Sequence, residues 1–94
     1  MESRKGGDPK ASYVSMLFEQ GLESILDKLE EETAETMEAA RSDDDDWLIR
    51  EMADLWFHSL VLLSFRELGP QHVLAELRQR FGISGLVEKA SRTD

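Results

Sequence analysis

The segment from Leu22 to Arg41 constrains the fold most strongly, because its apolar and small residues recur every three or four positions. This spacing places them along one side of an α-helix. The pattern predicts an amphipathic helix about 30 Å long, at 1.5 Å of rise per residue, that packs against another helix. The positions concerned are Leu22, Ile25, Leu26, Leu29, Thr33, Met37 and Ala40.

Three further segments also favour helix. Glycine, proline and short polar residues that can cap helices separate the segments. No alternation of apolar and polar residues is long enough to predict a sheet. The sequence therefore predicts an all-α fold, a small helical bundle of four to five helices. Their predicted spans are 12–20, 22–41, about 47–68, and 70 to about 81.

The apolar run from Leu55 to Phe65 predicts a buried helix at the centre of the domain. A membrane span requires about 20 residues, so this run is too short to cross a bilayer. It also contains His58 and two serines. We therefore expect no membrane association.

Size limits the organisation of the chain. With 94 residues, of which 40% are hydrophobic, it has material for one small domain. A core of this size leaves apolar surface uncovered, so pairing of two copies is expected. We predict a flexible N-terminal tail at 1–11, a helical domain at 12–83, and a C-terminal tail at 84–94 that contributes to substrate binding. The first ten residues lack the apolar stretch of a signal peptide.

Charge and cysteine content exclude several classes of function. A net charge of −9 disfavours a nucleic-acid surface, which needs clustered Lys and Arg. The absence of cysteine excludes disulfides, thiolate zinc sites and a cysteine nucleophile. A small phosphorylated ligand stays compatible with an acidic protein, because bound cations and local basic groups can offset its charge.

Two pairs of carboxylates are the strongest functional signal. Glu32 and Glu35 are three residues apart in one helix, and Glu51 and Asp54 are three apart in the next. Each pair therefore points to one side of its helix. Four facing carboxylates would repel one another unless a proton or cation neutralised them. Mg²⁺ prefers oxygen ligands and is often bound by carboxylates together with substrate phosphates, so the pattern predicts a magnesium site.

Helical projection ranks the acidic residues of the first pair. At 100° per residue, Glu32 lies about 60° and Glu35 about 120° from Leu29, on the flank of the apolar face. Glu31 lies at about 160°, further toward solvent. We therefore expect Glu31 to be a weaker metal ligand than its neighbours.

The second pair interrupts an apolar face. Glu51, Asp54 and His58 share a side of their helix with Val61. Burial of carboxylates is costly without a partner, so this placement predicts a ligand. His58 is expected behind the metal, bonded to a carboxylate or to substrate, because Mg²⁺ prefers oxygen to imidazole.

A simpler interpretation treats the acids as an ordinary surface. On that view the first run is a solvated helix face, and Glu51 and Asp54 pair with Arg50, Lys28 or another base. The protein would then be a non-catalytic helical dimerisation module.

The motif EExxE followed by ExxD resembles the MazG-type all-α nucleotide pyrophosphohydrolases. Three longer segments, SYVSMLFEQGLESILDKLEEETAE, EMADLWFHSLVLL and SGLVEKASR, resemble the phosphoribosyl-ATP pyrophosphohydrolase family within that superfamily. The similarity covers about residues 12–92. One departure is Glu30, where the family commonly has glycine before its glutamate pair.

The resemblance implies Mg²⁺-dependent hydrolysis of phosphoribosyl-ATP to phosphoribosyl-AMP and pyrophosphate, the second step of histidine biosynthesis. It also implies a cytoplasmic homodimer. The alternative within enzymes is a housekeeping nucleoside triphosphate pyrophosphohydrolase.

Each candidate site residue has an expected role in this hydrolysis. The metal ligands are Glu32, Glu35, Glu51 and Asp54. Glu31 or Glu35 accepts a proton from the attacking water. Lys28, Lys89 and Arg92 contact substrate phosphates.

Overall fold

Short breaks divide residues 9–82 into four helices. A computed structural model describes residues 9–82. The helices are α1 (Pro9–Gln20), α2 (Leu22–Ala40), α3 (Asp45–Phe65) and α4 (Pro70–Phe81). The all-α prediction is confirmed for this part of the chain, in which no helix is long and apolar enough to cross a membrane.

Two helix ends differ from prediction by three residues each. Helix α1 begins at Pro9 rather than Ser12, so residues 9–11, expected in the tail, are helical. Proline is well tolerated in a first helical turn, where its missing N–H would be unpaired in any case. Helix α3 ends at Phe65 rather than Leu68.

The early end of α3 is a Schellman motif with an unusual residue at its centre. Glu67 has a φ of 62°, in the left-handed region. The backbone N–H of Leu68 donates to the carbonyl of Leu63 at 2.7 Å, and that of Glu67 donates to Ser64 at 2.9 Å. Glycine usually occupies the Glu67 position in this motif. Gly69 precedes Pro70, the first residue of α4.

The turn between α2 and α3 is held by Asp44. Its carboxylate accepts a hydrogen bond from the backbone N–H of Trp47 at 3.1 Å. Asp45 and Asp46 add negative charge to the first turn of α3, where the helix dipole is positive. These acids therefore cap and orient a helix.

Helices α2 and α3 form an antiparallel hairpin, and α1 packs across it. The fully buried apolar residues at their junction are Leu17, Ile25 and Val61, one from each helix. Phe18 of α1 packs edge-on against Phe65 of α3, with ring centroids 5.6 Å apart. This small core fixes the two helices that carry the acidic motif.

The expectation that the run 55–65 forms a buried helix is wrong for one side of α3 in the single chain. Trp56 is 68% exposed and Ile49 is 65% exposed, because no described helix packs against that side of α3. Helix α4 has no buried residue. An apolar groove of ≈ 400 Å³ runs between α3 and α4, lined by Trp56, Leu60, Leu63, Pro70, Val73 and Leu74 with Ser59.

Candidate metal centre

The α2–α3 hairpin brings three of the four predicted carboxylate ligands together. Glu32, Glu35 and Glu51 each offer a carboxylate oxygen, and these atoms lie within 4.8 Å of one another. Glu32 is buried, whereas Glu35 and Glu51 are half-buried. We call these three residues the carboxylate cluster. Its placement follows from the flank position that the helical projection predicts for Glu32 and Glu35.

Two oxygens of the cluster are buried without a hydrogen-bond partner. They are Oε1 of Glu32 and Oε1 of Glu51, and neither has a hydrogen-bond partner among residues 9–82. The other oxygen of Glu51 accepts a hydrogen bond from the indole Nε1 of Trp47 at 3.3 Å. Unsatisfied buried carboxylate oxygens are costly, so the arrangement favours a neutralising ligand.

Electrostatics within the cluster favours uptake of positive charge. Burial raises the pKa of the Glu32 carboxyl above its ordinary value of 4.5, and the nearby Asp54 charge adds to the increase. The pKa of Glu35 is also raised, chiefly by its closeness to the Glu51 carboxyl. A divalent cation bound between these carboxylates would offset their mutual repulsion.

Asp54, the fourth predicted ligand, lies outside the carboxylate cluster. Its side chain is exposed. Its charge nevertheless raises the pKa of Glu32, which places it in the electrostatic environment of the site. Asp54 therefore lies beside the cluster and does not form part of it in this arrangement.

His58, a residue of α3, is buried where α1 packs against the α2–α3 hairpin. It is 5% exposed. Its Nδ1 lies 2.8 Å from the backbone carbonyl of Asp54, and its Nε2 lies 2.8 Å from the hydroxyl of Tyr13. Because a carbonyl only accepts, Nδ1 donates to it, and in the tautomer that this contact selects Nε2 accepts from the Tyr13 hydroxyl. The partner of His58 is thus Tyr13, where a carboxylate or substrate was expected.

Lys28 and Glu31 form an ion pair next to the cluster. The Lys28 Nζ lies 3.1 Å from Oε1 of Glu31, with the side chains 32% and 54% exposed. This hydrogen bond is the main reason that the pKa of Lys28 is raised. The charges of Lys28 and Glu31 act on Glu32 and Glu35 respectively, so the pair borders the cluster.

Among residues 9–82, Glu51 and Asp54 have none of the ion pairs expected for an ordinary acidic surface. Within the described range, the ion pairs are Lys28–Glu31 and Glu76–Arg80. Glu51 therefore has no basic partner among residues 9–82.

The sequence as a whole identifies the family. The model of the phosphoribosyl-ATP pyrophosphohydrolase family matches residues 1–81. The chain belongs to this family. The resemblance inferred from the acidic motifs is thereby confirmed.

Curated relatives support the same assignment over nearly the full length. The chain is 51% identical over 92 residues to a phosphoribosyl-ATP pyrophosphatase of Chromobacterium violaceum, covering 98% of this chain and 85% of the relative. It is equally similar, at 51% over 92 residues, to a protein of that name from Methylococcus capsulatus, covering 98% and 88%. A third, from Vesicomyosocius okutanii, is 46% identical over 94 residues, covering 100% and 90%.

The predicted phosphate contacts of this phosphoribosyl-ATP pyrophosphohydrolase family member include Lys89 and Arg92. Both lie outside the described residues, as does the predicted C-terminal tail.

Three residues of the site were not predicted from the sequence. Trp47 donates to Glu51, Tyr13 bonds His58, and Thr36 bonds both helices of the hairpin. The periodic pattern of α2 selects Thr33 and passes over Thr36, and the polar atoms of the two aromatic residues have no periodic signature. A polar atom on an otherwise apolar face is the signal that could have found them.

Proposed function

We propose that this chain hydrolyses phosphoribosyl-ATP to phosphoribosyl-AMP and pyrophosphate, as the second step of histidine biosynthesis. The observation that carries the proposal is the near-full-length match to relatives named for this substrate. The carboxylate cluster supplies the chemistry that such a reaction needs. The cytoplasm is the expected compartment.

The donor set of the cluster fits Mg²⁺. All three groups are carboxylates, which are oxygen ligands of the kind Mg²⁺ prefers. The unpartnered oxygens of Glu32 and Glu51 have free lone pairs for such a ligand. Glu32, Glu35 and Glu51 would hold the ion, and Asp54 is proposed as a fourth ligand. When bound, Mg²⁺ supplies charge neutralisation at phosphate oxygens and lowers the pKa of a coordinated water.

The protein's own residues orient the reactants. Lys28 borders the cluster and carries a positive charge suited to a phosphate oxygen. Lys89 and Arg92 are proposed as further phosphate contacts. Phosphoryl transfer depends mainly on positioning and electrostatic stabilisation, so a helical hairpin without a covalent nucleophile is sufficient.

Glu31 is the proposed proton acceptor. It lies outside the carboxylate cluster, whereas Glu35 belongs to it. Its carboxylate is oriented by Lys28 at 3.1 Å. The attacking water gives its proton to this carboxylate as its oxygen bonds to phosphorus of the α–β linkage, and pyrophosphate departs.

The functional unit is proposed to be a homodimer. The apolar groove and the exposed Trp56 form a continuous uncovered surface on α3 and α4. The radius of gyration, 16.7 Å, exceeds the roughly 12 Å expected for a compact domain of this length. An extended protomer with a small core gains stability by pairing its apolar face with a second copy.

The test is turnover of phosphoribosyl-ATP by purified protein with and without Mg²⁺, followed by chromatography of nucleotide products and pyrophosphate. Glu51→Gln should lose Mg²⁺-dependent turnover while staying folded. Glu38→Gln, an exposed glutamate of α2 outside the cluster, is the matched control. Glu31→Gln should lose turnover but keep Mg²⁺ binding. Faster hydrolysis of deoxynucleoside triphosphates than of phosphoribosyl-ATP would overturn the substrate assignment.

A further inference from the structure

The hydroxyl of Thr36 joins α2 to α3 beside the carboxylate cluster. Its oxygen lies 2.7 Å from the backbone carbonyl of Glu32, one turn earlier in α2. It also lies 3.2 Å from the backbone carbonyl of Glu51 in α3. The residue is 8% exposed. One hydroxyl proton is therefore shared between two residues that each carry a cluster carboxylate.

A second threonine in α2 shows what is particular about this contact. The hydroxyl of Thr33 donates to the carbonyl of Leu29, also at 2.7 Å, but Thr33 is exposed. Bonds from threonine to a carbonyl one turn earlier are common in helices and need no neighbouring element. Thr36 differs from Thr33 by its burial and by its contact with α3.

The contact lies where the two helices approach closely. Ala39, 1% exposed, follows Thr36 by one turn on the same buried face of α2. Small side chains at these two positions leave room for the backbones of α2 and α3 to approach each other closely. Because Glu51 bears both the bonded carbonyl and a cluster carboxylate, its backbone position governs where that carboxylate lies.

We infer that Thr36 is a positioning residue for the cation site, whose hydroxyl fixes Glu51 relative to Glu32. This inference rests on the proposed Mg²⁺ site, since it concerns how the ligands are held. Metal-binding geometry tolerates displacements of only about 0.5 Å. Loss of a residue that supports a metal ligand typically weakens metal affinity by about 10- to 100-fold.

The experiment compares Thr36→Val, Thr36→Ala, Thr36→Ser and Thr33→Val with the unaltered protein. Isothermal titration calorimetry measures the affinity for Mg²⁺ alone, without substrate, and circular dichroism monitors helix content. Thr36→Val and Thr36→Ala should each weaken Mg²⁺ binding by about tenfold or more. Thr36→Ser keeps the hydroxyl and should restore affinity to near the original value. Thr33→Val should leave it unchanged.

Three results would overturn the inference. Unchanged Mg²⁺ affinity in either folded variant lacking the hydroxyl would show that the contact does not position the site. An equal loss in Thr36→Ser would assign the effect to the threonine methyl group. If the unaltered protein binds no Mg²⁺, the proposed metal site itself fails, and the role of Thr36 fails with it. The affinity of the unaltered protein thus distinguishes the two failures.

Discussion

The hydroxyl oxygen of Tyr13 lies 2.8 Å from Nε2 of His58, and this contact joins helices whose contacting residues are 45 positions apart. His58 uses its other nitrogen on the backbone carbonyl of Asp54. Both ring nitrogens of the buried His58 therefore have a hydrogen-bond partner. This bond anchors α1 to α3 next to the carboxylate cluster.

We predict that Tyr13→Phe destabilises the fold. The substitution preserves the ring that packs near Phe57 but leaves Nε2 of buried His58 without its donor. A buried acceptor left unsatisfied costs about 1 to 3 kcal/mol in the free energy of unfolding. Urea denaturation measures the change. Ser24→Ala, which removes an exposed hydroxyl bond to Gln20, is the control, and an unchanged midpoint for Tyr13→Phe would contradict the prediction.

The stability of the metal-free protein should fall as pH rises from weakly acidic toward neutral. The folded state raises the pKa of Glu32 above its ordinary value of 4.5, so folded protein binds more protons than unfolded protein between the two values. This contribution is complete below pH 4.5 and is lost as pH rises through the folded pKa. Urea unfolding in the presence of a chelator tests this.

Substitution isolates the contribution of Glu32 to that pH dependence. Glu32→Gln should flatten the decline, because the residue no longer titrates. Glu30→Gln changes an exposed neighbour and should preserve the slope of the original protein. Equal slopes for Glu32→Gln and the unaltered protein would show that Glu32 is not a source of the pH dependence.

Glu67→Gly should stabilise the protein. Glu67 has a positive φ of 62°, and a left-handed conformation costs a residue with a β-carbon about 1 to 2 kcal/mol. Glycine adopts it freely but loses more backbone entropy on folding, so the expected net gain is about 1 kcal/mol. Thermal or urea unfolding measures this gain. Glu67→Ala retains the β-carbon and should give no such increase; a matching gain there would exclude backbone strain as the cause.

Trp56→Asp should convert the proposed homodimer to a monomer. The indole is 68% exposed on the uncovered side of α3, and a charge placed there would have to be buried on pairing. Light scattering after size-exclusion chromatography gives the mass. Met16→Asp alters an apolar residue, 42% exposed, on α1 away from the groove, and should leave a dimer. A monomeric unaltered protein at micromolar concentration would argue against pairing.

Helical periodicity predicted the four helices of residues 9–82 well, because local spacing determines where helix is favoured. It misjudged the buried face of α2: Thr33, Met37 and Ala40 of the predicted face are exposed. The residues buried instead include Thr36, Ala39 and Glu32, which the projection had placed on a flank. Periodicity could not place Asp54, which shares a predicted face with Glu51 but is exposed. A projection gives an angle around one helix, whereas burial depends on how the neighbouring helix is rotated and how far it extends.

Dependence on neighbouring helices also explains why the sequence did not predict the contact of Thr36 or the exposure of Trp56. The cross-helix bond of Thr36 depends on the register between α2 and α3, which no single helix encodes. Trp56 is apolar in the sequence whether its partner is the same chain or another copy. Sequence pattern therefore shows that a surface needs covering, but the structure shows that residues 9–82 of this chain do not cover it.

The hairpin arrangement of α2 and α3 has a consequence for folding kinetics. Residues 41–44 alone separate the two helices, so forming the hairpin closes a short loop at small entropic cost. Contacts local in sequence form early in folding. We therefore expect the carboxylates of Glu32 and Glu51 to come together early in folding, where their mutual repulsion opposes it. Neutralising either group should accelerate folding more than it slows unfolding.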